Sequence, residues 1–313
     1  MKNVTVVGAG LMGLGIAQIF AARYYSVTVQ DISIAALDRM PETIARIGDL
    51  LGNDPETSRR IRTTTDLGQA VGQADLVIEA AAEKLEVKQS IFSVFEKRAP
   101  GEAILASNTS VIPISQIAVP VTDKRRVMGM HFWNPPYLVP LVEVVEIPET
   151  GHLERDRIMQ LLTSVGQEPV LVRRDIPGFI GNRLQHALKR EAIALVANGI
   201  CDAETVDRVI KLGFGSRLGV IGTLEQSDMV GLNLTLDIHN VVIPDLDVTQ
   251  GPHPYLQQLV AAGHLGMKTG KGFYEWTEER AEAVRERLKT FLARQAEGRR
   301  ELSSDHQHGQ ERT

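Results

Sequence analysis

The chain has 313 residues, 43% of them hydrophobic and 23% charged, and its 34 basic and 39 acidic side chains leave a net charge of −5. This describes an ordinary globular chain long enough for two domains, without the surplus of cations that binding a phosphate backbone requires, so nucleic acid is not expected as a partner. The single cysteine, Cys201, excludes an intrachain disulfide and a cysteine-built zinc site and points to a reducing, cytoplasmic setting, and the histidines form no HxxxH or HExxH pair, so no metal is expected.

Val4 to Val7 form an apolar run directly after Met1-Lys2-Asn3, which is expected to leave no room for a cleavable signal. Apolar stretches such as Leu76-Val77-Ile78 are soon broken by charge, here Glu79, well short of the ~18 residues a membrane helix needs, so no membrane partner is expected. Short β-branched runs then alternate with amphipathic segments: Val4–Val7, Val27–Gln30, Leu76–Ile78, Ile104–Ala106, Val127–Met130, Leu141–Val145 and Val170–Val172. That alternation predicts βαβ units around a mostly parallel sheet, an α/β fold. Between Val127–Met130 and Leu141–Val145 the connection is short and rich in proline, which rules out a helical crossover and predicts an antiparallel extension.

At Asp175-Ile176-Pro177-Gly178 the pattern changes. Asp175 and Pro177 read as a helix start, and Ile180, Leu184, Leu188 and Leu195 follow at helical spacing. A second, all-helical domain is expected from there, with a glycine-rich turn at 213–222, a glycine turn at Gly270-Lys271-Gly272 packing Phe273 and Tyr274 into a core, and a charged helix from near Thr277. The polar composition after about Arg294 predicts a frayed tail. The expected division is 1–176, 177–294 and 295–313.

Gly8-Ala9-Gly10-Leu11-Met12-Gly13 follows the first strand and opens a segment with Ile16, Ile19 and Phe20 on one helical face, the context in which GxGxxG binds a dinucleotide. Gly8 makes the tight turn, Gly10 lets the backbone approach a pyrophosphate, and Gly13 permits close helix packing. Asp31 closes the second strand 23 residues after Gly8, where a carboxylate accepts from ribose hydroxyls and repels a 2′-phosphate, favouring NAD over NADP. An ordinary strand-to-helix turn with a loop carboxylate is the alternative, and the motif in context outweighs it. The first domain is therefore read as Rossmann-like, with Gly8, Gly10, Leu11, Met12, Gly13 and Asp31 on the cofactor side.

Oxidation of an alcohol carbon by hydride transfer needs a base for the hydroxyl proton and donors for its oxygen. His131 ends the strand Val127–Met130 on the sheet edge where ligands of open α/β folds gather, and a hairpin brings Glu143 of the returning strand to its imidazole. An ordinary polar contact for the histidine and a solvent-facing position for the glutamate remain open on these residues alone.

Gly8–Gly13, Ser107-Asn108-Thr109-Ser110, His131-Phe132-Trp133-Asn134-Pro135, Leu141-Val142-Glu143-Val144 and Pro177–Arg183 resemble, in order and spacing over about residues 4 to 276, the L-3-hydroxyacyl-CoA dehydrogenases. The resemblance implies a two-domain, NAD-dependent homodimer. It makes His131 the general acid/base, Glu143 its orienting partner, and Ser110 and Asn182 partners of the substrate C3 oxygen. Asn134, Glu83, Lys88 and Ser110 fall at cofactor-side positions.

Two stretches depart from that pattern. Pro136-Tyr137-Leu138-Val139-Pro140 puts bulk and proline where the CoA enzymes carry a lysine before Leu-Val-Glu, and Gly213–Leu218 lacks their Gly-Pro turn. Both are more like relatives acting on free hydroxy acids, such as gulonate and carnitine dehydrogenases, or on ring alcohols, with Arg217 as a candidate for a substrate carboxylate. The expected substrate is a 3-hydroxyacyl-CoA, the alternative a free hydroxy acid or ring alcohol, and the non-enzymatic reading a lambda-crystallin-like NAD-binding protein.

Overall fold

The computed structural model describes residues 1–310, with side chains through Arg299. Eight strands form one sheet: β1 (Asn3–Val7), β2 (Ser26–Gln30), β3 (Ile61–Thr64), β4 (Leu76–Glu79), β5 (Ile104–Ser107), β6 (Val127–Phe132), β7 (Leu141–Val145) and β8 (Glu168–Val172). Their order is β3-β2-β1-β4-β5-β6-β7-β8, and every neighbouring pair is parallel except β6 and β7. The antiparallel extension thus stands where the proline-rich connection places it.

The central strands are covered on both faces, which is why they read as continuous apolar runs. Val4, Val6, Ile16 and Phe20 pack together on one side of the sheet, and Val77, Leu105, Phe92 and Phe95 on the other. Strand β3 escapes a hydrophobic reading because only Ile61 of Ile61-Arg62-Thr63-Thr64 is both apolar and buried. It lies at the sheet edge, where one buried side chain and threonine propensity suffice.

The chain divides into two compact units, one of residues 1–183 with 288–313 and one of residues 184–287. The first unit runs past the expected boundary at 176 because the segment Pro177–Arg183 is bonded into it. Asp175 is not the cap of the following helix, Gly181–Ala197. Its carboxylate instead accepts from the Ile114 and Ser115 amides, at 2.8 and 2.7 Å, and so caps the helix Ile114–Ile117. The expected tail at 295 also differs: the helix Glu278–Gln310 continues through it, with Ala296 buried and the Arg299 guanidinium donating to the Leu138 carbonyl at 2.6 Å. Composition is blind to one alanine face finding a partner on the first unit. Side chains of the tail from residue 300 onward, and residues 311–313, lie outside the described residues.

The second unit is built from helices, as expected, with two isolated β-bridges, Gly266–Lys271 and Lys271–Glu275, near its C-terminal end. In its glycine turn, the Tyr274 hydroxyl lies 2.9 Å from both the Ala203 carbonyl and the Asp207 carboxylate, whereas Phe273 is 41% exposed and not in a core. Among the described residues, no helix is long and apolar enough to cross a membrane.

Candidate active site

His131 and Glu143 face each other directly across β6 and β7. Opposed residues on neighbouring strands project to the same side of the sheet. The His131 Nδ1 lies 2.9 Å from Glu143 Oε2, and both side chains are buried. The other carboxylate oxygen, Oε1, accepts from the Ile180 and Gly181 amides at 2.9 and 3.0 Å, at the start of the helix Gly181–Ala197. These donors reach it because the chain turns through left-handed conformations at Gly178 and Phe179, φ +76° and +49°. Phe179 is a bulky residue in a disfavoured region, held there by complete burial against the His131 ring, 5.7 Å between centroids. Trp133 stands on another side of the imidazole at 5.5 Å, over Gly181, where any Cβ would overlap the indole.

Burial pushes the Glu143 carboxyl up, but the His131 hydrogen bond and the Gly181 and Ile180 amides outweigh it and hold the group below its ordinary value of 4.5. A carboxyl depressed in the folded chain stabilises it fully above the ordinary value, and that contribution disappears as pH falls through the folded value. Denaturant midpoints measured from pH 7 downward are therefore expected to fall below about pH 4.5. Glu143→Gln, which cannot titrate, is expected to show a shallower acid loss than the parent, and equal slopes would assign the loss to other carboxyls.

The loop after β5 carries the next group. Asn108 Oδ1 accepts from the Phe132 amide at 2.8 Å, tying this loop to the strand of His131. Asn182 Nδ2 donates to the Ser110 carbonyl at 2.9 Å, so Asn182 meets the Ser110 backbone and not its hydroxyl. That hydroxyl has no protein partner among the described residues. Asn108 has no role in the sequence reading, although it lies within a quoted motif; its signal is position, a side-chain amide just past the end of a buried strand. Asn134 is exposed at the start of the β6–β7 connection.

Beneath the same loop lies a buried charge cluster. Lys88 Nζ is 2.8 and 2.9 Å from the two Glu79 oxygens and 3.2 Å from Glu83 Oε2, with Lys88 1% exposed and Glu79 fully buried. Glu83 Oε1 accepts from Thr109 Oγ1 and from the Ser110 and Val111 amides at 2.5, 2.9 and 3.3 Å. Burial pushes the Glu83 carboxyl up, and the Thr109 hydroxyl, the Lys88 ammonium and the Ser110 amide more than reverse this, leaving it below its ordinary value. Glu79 was legible only as a carboxylate ending an apolar strand.

At the other end of this sheet edge, Gly8 has φ +110°, and a Cβ on Gly13 would overlap the Gly8 carbonyl oxygen. Gly10 caps the helix Leu11–Ala21 without a side chain, leaving the first-turn amides of Leu11, Met12 and Gly13 free of side-chain acceptors. Asp31 braces the loop, Oδ2 accepting from the Ala9 amide at 2.7 Å and Oδ1 from the Ser33 amide at 2.8 Å. Free amides at a helix N-terminus, a backbone stripped of Cβ atoms and a carboxylate closing β2 fit a dinucleotide. Gly13→Ala is expected to lose NADH binding in a fluorescence titration and to destabilise the chain by about 1–3 kcal/mol, because the atom it meets is backbone that cannot step aside.

Arg217 ends an exposed 3₁₀ turn of the helical unit, Phe214–Arg217; its carbonyl accepts from the Val220 and Ile221 amides, while its guanidinium has no hydrogen-bond or ion-pair partner among the described residues.

Comparison with known proteins accords with this geometry. The 3-hydroxyacyl-CoA dehydrogenase NAD binding domain matches residues 3–176, and the C-terminal domain of that family residues 178–276. A probable 3-hydroxybutyryl-CoA dehydrogenase of Bacillus subtilis is 37% identical over 89% of this chain and 99% of its own. A 5-formyl-3-hydroxy-2-methylpyridine 4-carboxylate 5-dehydrogenase of Mesorhizobium japonicum is 33% identical over 94% and 97%. Among solved structures, an enzyme of that latter name, described as an NAD+-dependent dismutase, superposes with TM-score 0.88 at 31% identity, covering 95% of this chain and 99% of its own. The (S)-3-hydroxybutyryl-CoA dehydrogenase of Ralstonia eutropha superposes with TM-score 0.74 at 32% identity over 89% and 100%. Glycine loop, mixed sheet and buried His-Glu pair thus meet in a chain that belongs to the 3-hydroxyacyl-CoA dehydrogenase family and is an NAD-dependent oxidoreductase.

Proposed function

We propose that this enzyme interconverts a 3-hydroxyacyl substrate of the CoA-thioester type and its 3-oxo form, with His131 as general acid/base. The observation that carries the reading is the His131–Glu143 pair. A carboxylate fixed by two backbone amides holds Nδ1–H of the imidazole, leaving Nε2 as the lone pair that takes the hydroxyl proton. Glu143 then stabilises the imidazolium that forms. Ser110, whose hydroxyl is uncommitted, and Asn182 are the partners of the substrate oxygen, and Asn134 shapes the pocket beside them. Leu11, Met12, Gly13 and Asp31, with Glu83 and Lys88 beneath the adjoining loop, hold the cofactor side. Bound NAD+ supplies the hydride acceptor.

A second reading, a free hydroxy acid or ring alcohol as substrate, is favoured by the higher TM-score to the pyridine-carboxylate enzyme, 0.88 against 0.74. The β6–β7 connection favours it too: Pro136 and Tyr137 pack against Gly15 of the cofactor helix, filling the place of the lysine-bearing run of the CoA enzymes. NADH oxidation by the purified protein with acetoacetyl-CoA, beside a panel of free 3-oxo acids and aromatic aldehydes, decides between them. Turnover of the thioester supports the first; turnover only of free acids or aldehydes replaces it with the second; NADH binding without any turnover leaves a crystallin-like binding protein.

The helical unit exposes the large apolar side chains Leu212, Val220, Leu224, Met229, Leu232 and Val241, the residue type that an interface between subunits buries. We infer that a second copy of the chain covers it. Light scattering on the eluting protein checks this, a monomer mass being the result that refutes it. The lone Cys201 and the net negative charge fit a cytoplasmic enzyme with no nucleic acid partner.

A further inference from the structure

We propose that Glu79 is a positioning residue, acting through Lys88 and Glu83 to hold the Ser110 loop at the reacting oxygen; the inference rests on the role of Ser110 proposed above. Glu79 ends β4 and makes no contact with the catalytic pair, yet both its oxygens are spoken for. Oε1 accepts from the Ala81 amide at 2.7 Å and from Lys88 Nζ, and Oε2 from Ser107 Oγ at 2.5 Å and again from Lys88 Nζ.

A buried ammonium stays charged only where carboxylates surround it. Glu79 supplies two of the three oxygens around Lys88, and Glu83 the third. The opposite oxygen of Glu83 gathers three donors from the consecutive residues Thr109, Ser110 and Val111. The charges alternate from β4 to the loop: Glu79 pairs with Lys88 in the buried interior, Lys88 anchors one end of Glu83, and the other end pins the Ser110 turn. Asn182 holds the same residue from its carbonyl side, so Ser110 is fixed by its amide and its carbonyl while its hydroxyl stays uncommitted. The Ser107 contact gives Glu79 a second hold on the same loop at its root. A cluster built only to stabilise the core would have no need to terminate on consecutive donors beside a reacting group.

The test compares the parent with Glu79→Gln and with the double variant Glu79→Gln/Lys88→Met, which removes both charges and so leaves no uncompensated ammonium to unfold the chain. Hydrogen exchange of the 107–112 segment is read by mass spectrometry, alongside kcat and KM for NADH, and each variant is repeated on a Ser110→Ala background. Exchange in that segment is expected to quicken about tenfold in both variants, and kcat to fall about tenfold or more, with KM for NADH within about twofold in Glu79→Gln, which leaves Lys88 and Glu83 in place. Ser110→Ala is expected to absorb that loss, so that the combined variant is no slower than Ser110→Ala alone. Unchanged exchange in the double variant overturns the proposal whatever the activity, and so does a rise in KM for NADH at constant kcat in Glu79→Gln, which would make Glu79 a support of the cofactor and not of the loop. Quickened exchange with a Ser110→Ala enzyme of full activity keeps the positioning of the loop and removes instead the role assigned to Ser110.

Discussion

Replacing His131 by alanine is expected to lower kcat for NADH oxidation by ~10²–10⁴-fold, the range a positioned general acid/base supplies, while the affinity for NADH stays near that of the parent. The separation follows from the architecture. The glycine loop and Asp31, proposed to cradle the dinucleotide, stand at the ends of β1 and β2, whereas His131 lies on β6, three strands from β1 in the sheet order. Stability is expected to fall as well, by about 1–3 kcal/mol, because Glu143 Oε2 loses its partner in a buried position and the Phe179 and Trp133 rings lose the imidazole between them. Thermal melts with and without NADH check the second statement, and a stopped assay at saturating substrate the first. A variant retaining activity within about fivefold of the parent would place the proton acceptor elsewhere.

Glu143→Gln is the sharper substitution, because it changes almost no atoms. The Ile180 and Gly181 amides both donate, so they orient the new carbonyl oxygen toward themselves and turn the amide nitrogen toward His131. An –NH2 facing Nδ1 makes that nitrogen an acceptor and places the ring proton on Nε2, the wrong tautomer for a base. The expected result is a fall in kcat of ~10²–10⁴-fold, with the melting temperature close to the parent's and NADH binding intact. Imidazole nitrogen chemical shifts in labelled protein would show the tautomer directly. A Gln variant with the parental tautomer and a full loss of activity would mean that Glu143 acts through charge and not through orientation.

The hairpin of β6 and β7 shows how much was legible beforehand. A connection too short and too rich in proline for a helix forces antiparallel pairing, and antiparallel pairing of these two runs sets His131 opposite Glu143. The same holds for the glycine loop, whose spacing and flanking strand already contain the reason for each glycine. Strand β3 was not legible because an edge strand needs only one buried side chain. The helix that runs into the tail was not legible because composition says nothing of which face a helix finds to pack on, nor was the partner of Asp175, because a capping carboxylate looks alike whichever helix it caps.

By itself the sequence determined the alternation of strand and helix, the glycine loop and the pairing of His131 with Glu143, since these depend on periodicity, backbone sterics and residues close along the chain. Tertiary structure alone decided what each polar group meets once water is gone. Glu143 Oε1 finds two amides 37 and 38 residues away, Asn182 finds the carbonyl of Ser110 across 72, and Asp175 finds a helix across 61. A buried carboxylate or amide must be satisfied, but which of many distant donors and acceptors satisfies it is set by how the strands and turns pack.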